Sequence, residues 1–111
     1  MSSDLSAEDL SGHIFSGQDL SGRDLRGKQL RNAHMIGTDL SGANLTGADL
    51  SGADLTAARL VDADLTQADL SWAILAGAEL SGATLAGTCL VGANLAGATV
   101  TDDQLAASER E

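Results

Sequence analysis

The chain has 111 residues and a net charge of −10, because 16 acidic side chains face 6 basic ones. We expect one domain at most, and direct nucleic-acid binding is excluded because it requires cations facing the phosphates. No stretch approaches the ~20 apolar residues of a membrane span, no signal peptide is visible, and Cys89 has no second cysteine to pair with. These features predict a cytoplasmic protein without membrane contact.

An apolar residue recurs at every fifth position from Leu5 to Leu105. This period matches neither the 3.6-residue helix nor the two-residue strand. It requires a backbone that turns every five residues and always points the same side chain inward. The predicted core comprises Phe15, Met35, Leu40, Leu45, Leu50, Leu55, Leu60, Leu65, Leu70, Leu75, Leu80, Leu85, Leu90 and Leu95.

The first predicted element is a lead-in over residues 1–12, which is partly in register with the repeat. It is followed by a first coil that lacks the small inward residue of the later units. Positions that hold alanine further along hold His13, Gln18, Arg23 and Lys28. Such side chains fit only a coil whose open mouth lets them reach solvent, with Phe15 closing the axis above Met35. This coil is interpreted either as a polar cap or as a docking surface built from Arg23, Arg26, Lys28 and Arg31.

Residues 13–100 form the repeat itself, and Ala48-Asp49-Leu50-Ser51-Gly52 is a complete unit. Alanine and leucine two positions apart point to the same side of the backbone. Glycine tolerates positive φ and aspartate bonds nearby backbone N–H groups, so these two residue types form the corners.

This unit resembles the A(D/N)LxX repeat of the pentapeptide-repeat family, and the resemblance covers about residues 13 to 100. It implies an all-β fold, a right-handed quadrilateral β-helix with four pentapeptides per coil and four to five coils. Residues 20 apart should therefore lie above one another.

Two surface features are candidate binding sites. Trp72 and Ile74 are expected to face outward around one corner, with Ile36 on the same side two coils earlier, and exposed aromatic and aliphatic groups are typical of interface anchors. The alternative is a chance apolar decoration. The acidic residues Asp49, Asp54, Asp64 and Asp69 lie in outward ladders, either as a strip that faces a partner or as corner-forming residues on a solvated surface.

Catalytic, metal and cofactor sites are not expected. A convex rod with a filled axis offers no cleft for an active site, His13 and His34 lack metal-ligand spacing, and no cation lies near Cys89 to activate its thiol. We therefore predict that the protein is not an enzyme and has no cofactor.

The last predicted element is a helix over about residues 102–109, within a C-terminal cap and tail at 101–111. Thr101 and Gln104 form a capping-box pattern, and Asp102 and Asp103 in the first turn suit the helix dipole. Leu105 is expected to face the last coil.

Two functions remain open. The first is a rigid, non-catalytic module that binds another protein. The second is implied by the resemblance, since some members of the family are acidic rods that mimic duplex DNA and bind type II topoisomerases such as gyrase, giving drug protection or inhibition. A homodimer through an end coil is a further alternative.

Overall fold

A computed structural model of the chain describes residues 9–109. Parallel β-bridges join residues 20 apart, as where Asp49 bridges Asp69 and Asp69 bridges Cys89. These bridges are isolated, and the one helix within residues 9–109, α1, spans Asp102–Ala107. The predicted coil of four pentapeptides is thus confirmed. Leu5, with the rest of the lead-in before residue 9 and the last two residues of the tail, lies outside the described residues.

Each pentapeptide repeats the same hydrogen bonds. Leu50 N–H donates to the carbonyl of Asp69 in the next coil at 2.7 Å, and Asp69 N–H donates back to the carbonyl of Ala48 at 2.9 Å. Ala53 N–H donates to the carbonyl of Leu50 at 3.0 Å and closes a four-residue turn. Backbone polar groups are therefore paired between coils along the sides and within the turn at each corner.

The turns divide each coil into four sides, which we call faces A to D. Face A contains residues 13–16, 33–36, 53–56, 73–76 and 93–96, and faces B, C and D follow at steps of five residues. Side chains in equivalent positions of successive coils form columns along the axis. The whole chain is elongated, with principal extents of 38 × 20 × 20 Å.

The interior is a stack of leucines flanked by alanines. Every predicted core position from Phe15 to Leu90 is at most 5% exposed, and Leu95 is partly buried. Alanine is required beside leucine because two large side chains per unit would overfill a close-packed interior. Thr38 replaces one of these alanines and stays satisfied, because its hydroxyl donates to the carbonyl of Phe15 at 2.8 Å.

The corners require a left-handed backbone. Every fifth residue from Gly12 to Gly97 has positive φ, and all 13 glycines of the chain occupy such corners. The third residue of a turn with this φ is normally glycine, because a side chain there is strained. Five corners hold another residue, with φ between +57° and +60°: Asn32, Ala57, Asp62, Gln67 and Trp72.

The first coil keeps its polar side chains out of the interior, as the sequence predicts. His13 and Arg23 are exposed, and Gln18 and Lys28 are partly exposed. Phe15 is buried, and the His13 ring stacks on it with centroids 5.4 Å apart. The imidazole thus covers the aromatic ring at the first position of face A.

The C-terminal end carries α1, with Thr101 as its N-cap. Both hydrogen bonds of the predicted capping box are present, and Leu105 packs against the core. The prediction that the helix continues to residue 109 is wrong. Ser108 is extended, and Glu109 bridges Cys89 because this pairing satisfies the rim of the last coil, with Leu90 N–H donating to the carbonyl of Glu109 at 2.6 Å.

Candidate functional site

The exposed large apolar side chains of the described residues all lie on face A or at its edge. Ile14 and Trp72 are each 70% exposed, Ile36 is 46% exposed and Ile74 is 39% exposed. Ile14 and Ile74 occupy one column, Ile36 lies beside that column, and Trp72 stands at the corner between faces D and A. The structure therefore brings together the three apolar residues that the sequence singles out.

Ile14 was missed as a candidate by the sequence reasoning. It lies in the column of Ile74, with His34 and Asp54 between them. The available signal was its spacing of 60 residues from Ile74, which is three full coils.

The indole of Trp72 is held against the next coil. It folds over Gly92, the equivalent corner 20 residues later, and a Cβ at that glycine would collide with the indole ring. The absence of a side chain at Gly92 is therefore what lets the ring lie flat on the backbone. An aromatic group that is packed on one side and exposed on the other loses little conformational freedom on binding.

Face A is also the face with the fewest charges. Its solvent-accessible positions carry the carboxylate of Asp54 and the imidazoles of His13 and His34, and no lysine or arginine. The neighbouring faces carry charges of both signs. Face B has Asp19, Asp39, Arg59 and Glu79, and face D has Asp9, Lys28, Arg31, Asp49 and Asp69. Carboxylates outnumber cations on each, so an apolar surface with net acidic borders results.

The four acidic candidates do not share one face. Asp49 and Asp69 are bridge partners on face D, Asp54 lies on face A and Asp64 on face C. Each accepts a hydrogen bond at Oδ1 from the backbone N–H two residues later, as Asp64 does from Thr66 at 3.0 Å. These carboxylates thus have the corner-forming role that the sequence suggests.

The turn bonds also affect proton binding. The side-chain and backbone donors of Thr66 lower the pKa of Asp64 below its usual 3.8. Burial acts to raise the pKa of Asp49, but the donors of Ser51 and Arg31 outweigh burial and the net shift is downward. Hydrogen bonds to the charged form favour it, so these groups stay ionised well into the acidic range.

The basic candidates of the first coil are spread over two faces. Arg26 lies on face C and pairs with Asp24 at 2.8 Å, while Arg31 lies on face D and pairs with Asp49 at 2.6 Å. The side-chain hydrogen bond from Arg26 lowers the pKa of Asp24 to about 2. Arg23 begins face C and Lys28 begins face D. Arg26 and Arg31 are therefore each engaged by a carboxylate of their own chain.

The remaining features that bear on function are metal-ligand clusters, cavities and membrane-spanning helices. No group of three or more metal-ligating side chains occurs in the part of the chain that the structure describes. A cavity of about 400 Å³ lies between α1 and the last coil, lined by residues that include Ala83, Val100 and Gln104. Within the same residues, no helix is long and apolar enough to cross a membrane.

Comparisons with family models and with solved structures both point to pentapeptide repeat proteins. The family model for pentapeptide repeats matches in eight copies, over residues 14–52, 24–62 and 63–102. A comparison with curated proteins gave no match.

Three solved structures illustrate the likeness. A pentapeptide repeat protein from Nostoc PCC 7120 is 35% identical over 94% of this chain and 85% of its own, with a TM-score of 0.84. One from the Arabidopsis thaliana thylakoid lumen is 43% identical over 86% of this chain and 70% of its own, with a TM-score of 0.80. QnrB1, a plasmid-mediated fluoroquinolone resistance protein, is 22% identical over 81% of this chain and 51% of its own, with a TM-score of 0.68, a likeness in fold alone.

Proposed function

The chain belongs to the pentapeptide repeat family, and on that premise we propose that it is a rigid, non-catalytic module that binds a partner protein through face A. The observation that carries the proposal is the gathering of Ile14, Ile36 and Ile74 on face A and of Trp72 at its edge. Four exposed large apolar groups scattered at random would fall on several faces. Exposed apolar groups that cluster mark interaction surfaces.

The shape of the molecule supports a binding role over a catalytic one. The axis of the β-helix, right-handed as in its family, is filled by leucine and alanine side chains. Enzyme sites require a concave pocket with converging polar groups. A rod of stacked coils instead presents flat columns of side chains at fixed spacing, which suits recognition of another surface.

Photo-cross-linking from single positions tests the proposal. Ile74 on face A and Thr84 on face C occupy equivalent bridge positions, so a photoreactive residue placed at each gives a matched pair. In an extract of the source organism we expect a cross-linked partner from position 74 and none from position 84. Cross-links from position 84 alone, or identical patterns from both positions, would place the binding surface elsewhere.

Replacement of the aromatic anchor gives an independent measurement. We expect Trp72→Ala to weaken capture of that partner at least ~10-fold, since buried aromatic anchors contribute about 2 kcal/mol or more. Val61→Ala on face B is the control, because it removes apolar atoms from a different face. Thermal unfolding of both variants establishes that the fold is retained. Equal capture by all three proteins contradicts an anchor at Trp72.

A second candidate is a DNA mimic that binds a type II topoisomerase, and the net charge of −10 on a narrow rod favours it. Duplex DNA carries one charge per ~1.7 Å, or about 22 over 38 Å, so the charge density of the rod is under half that of DNA. A gyrase supercoiling assay separates the two candidates. Inhibition, or protection from a quinolone, at micromolar protein supports mimicry, and no effect removes it.

A further inference from the structure

We propose that face A binds a cationic amphipathic helix of the partner protein, laid along the axis of the rod with its apolar stripe over Ile36, Trp72 and Ile74. This inference rests on the proposed function, because it names the chemistry of the partner that the same face would bind. It is carried by the spacing of the apolar groups and by the carboxylates around them.

The spacing of the apolar groups matches that of a helix. Ile36 and the pair of Trp72 and Ile74 lie two coils apart, which is about 10 Å at the usual strand separation. One heptad of an α-helix rises about 10.5 Å. Apolar residues at i and i+7 of a partner helix would therefore meet both groups while the helix lies straight along the face, and its residues at i+3 and i+4 would lie over Asp54.

The carboxylates define the charge of the partner. Asp39 lies on face B, Asp54 lies in the middle of face A, and Asp69 lies on face D. The close ion pairs of Arg26, Arg31 and Arg59 are made with other carboxylates, namely Asp24, Asp49 and Glu79. Arg59 and Arg31 act on Asp39 and Asp69 only through longer-range attraction. Lysine or arginine on the two flanks of the partner helix would neutralise Asp39 and Asp69, and a lysine or arginine at i+3 or i+4, between the two apolar contacts, would neutralise Asp54.

The same carboxylates are already oriented. Oδ1 of each accepts the backbone N–H of the serine or threonine two residues later, at 2.9–3.1 Å. Among the described residues, Oδ2 of each has no hydrogen bond that would compete with a partner cation. A carboxylate fixed by one oxygen and open at the other loses little freedom when it accepts a charge-assisted bond.

A second copy of the chain is a poorer occupant of face A. Packing two copies face to face would bring the two Asp54 columns and their acidic borders together, and like charges about 4 Å apart repel by ~1 kcal/mol even in water. Each copy would also add a net charge of −10. A cationic helix converts the same borders into attraction.

The experiment uses Trp72, which is the single tryptophan of the chain, as a reporter. Two synthetic peptides of about 18 residues carry leucine at the same i and i+7 positions and no aromatic residue, with lysine on the flanks and between the leucines in one and glutamate at those positions in the other. We expect the lysine peptide to shift the Trp72 emission to shorter wavelength. Its dissociation constant should rise at least ~10-fold between about 50 and about 500 mM NaCl, because salt screens exposed charges. The glutamate peptide should cause no shift.

Two variants separate a specific site from general attraction to an acidic protein. The double variant Ile36→Ser/Ile74→Ser keeps the reporter and should bind the lysine peptide at least ~10-fold more weakly, whereas Val61→Ser on face B should bind it normally. Equal binding by all three proteins overturns the inference, as does binding of both peptides or of neither. Concentration-dependent dimers in sedimentation that Ile36→Ser/Ile74→Ser abolishes would overturn it in favour of a second copy.

Failure of the inference can be told from failure of the proposed function. If neither peptide binds but position 74 still cross-links a partner, face A is an interaction surface whose partner is not a cationic helix. If position 74 yields no cross-link and the peptides also fail, both proposals fall.

Discussion

At the residue scale, the long side chains at the corners all fold in the same direction along the axis, toward the next coil. Asn32, Asp62, Gln67 and Trp72 adopt positive φ, and each folds over the corner 20 residues later. That later corner is always a glycine: Gly52, Gly82, Gly87 and Gly92. A side chain in the left-handed region costs about 1–2 kcal/mol, and packing against the next coil offsets part of this strain. The exposed tryptophan is thus a corner residue supported by a specific glycine.

Two glycine variants test this support. Gly92→Ala and Gly77→Ala both place a methyl group at a positive φ, of +70° and +69°, but only the methyl at position 92 would meet the Trp72 ring. We expect each to lose about 1 kcal/mol of unfolding free energy from backbone strain, and Gly92→Ala to lose more and to change the Trp72 emission. Urea unfolding and fluorescence spectra give both quantities. Unchanged emission in Gly92→Ala would mean that the indole does not rest on Gly92.

At the element scale, α1 joins the rod through hydrogen bonds as well as packing. Thr101 caps it, and the amide of Gln104 accepts from Thr101 N–H at 2.8 Å while its Nε2 donates to the carbonyls of Leu80 and Ala83 at 2.6 and 3.0 Å. One side chain therefore ties the first turn of the helix to the last coil. This coupling matters because an uncovered coil exposes backbone groups that attract other chains.

Removal of the cap measures the contribution of α1. Thr101→Ala should lower the free energy of unfolding by about 1 kcal/mol, the usual cost of losing an N-cap hydroxyl. Thr99→Ala is the matched control, because Thr99 is an exposed bridge residue on the rod and such surface changes stay within about 0.5 kcal/mol. Denaturant titration of the two variants and the parent chain measures both changes in unfolding free energy. Equal losses would show that the hydroxyl of Thr101 does not stabilise the cap.

The coil could be predicted from the sequence because one five-residue pattern determines both the core and the corners. The capping box at Thr101 and Gln104 was equally local. The helix end was not, since the choice between another turn at Ser108 and a bridge from Glu109 to Cys89 depends on where α1 places the chain. The direction in which Trp72 folds is likewise a contact between coils, and no local pattern encodes it.

At the scale of the whole molecule, acid should weaken the rod through its turn carboxylates. The folded pKa of Asp64 lies below the usual 3.8, so its contribution to stability is present above that value and is lost as the pH falls through the folded pKa. The chain has a net charge of −10, and acidification weakens the repulsion among its carboxylates. This second effect stabilises the fold and so opposes the loss. The contribution of one carboxylate therefore has to be measured against a variant that lacks it.

Asp64→Asn provides that comparison. Asn44 in the same column already makes the turn bond with its amide oxygen, at 3.1 Å to Thr46 N–H, so asparagine should preserve the corner. Between about pH 5 and about pH 2 we expect the melting temperature of Asp64→Asn to fall less than that of the parent chain. Thr66→Val, which removes only the hydroxyl donor, should give an intermediate pH dependence. Parallel melting curves for all three would contradict a role for Asp64 in acid stability.

The arrangement in columns makes face A sensitive to insertions and deletions of single pentapeptides, whereas the core is not. Most pentapeptides after the first coil have the same inward residues, alanine and leucine, so inserting or deleting one of these units leaves a foldable rod. Such a change rotates everything after it by a quarter turn about the axis. Ile14 and Ile74 share a column because the interval between them, three whole coils, contains no odd unit. Loss of one pentapeptide between them would move them to different faces, whereas loss of a complete coil would only shorten face A.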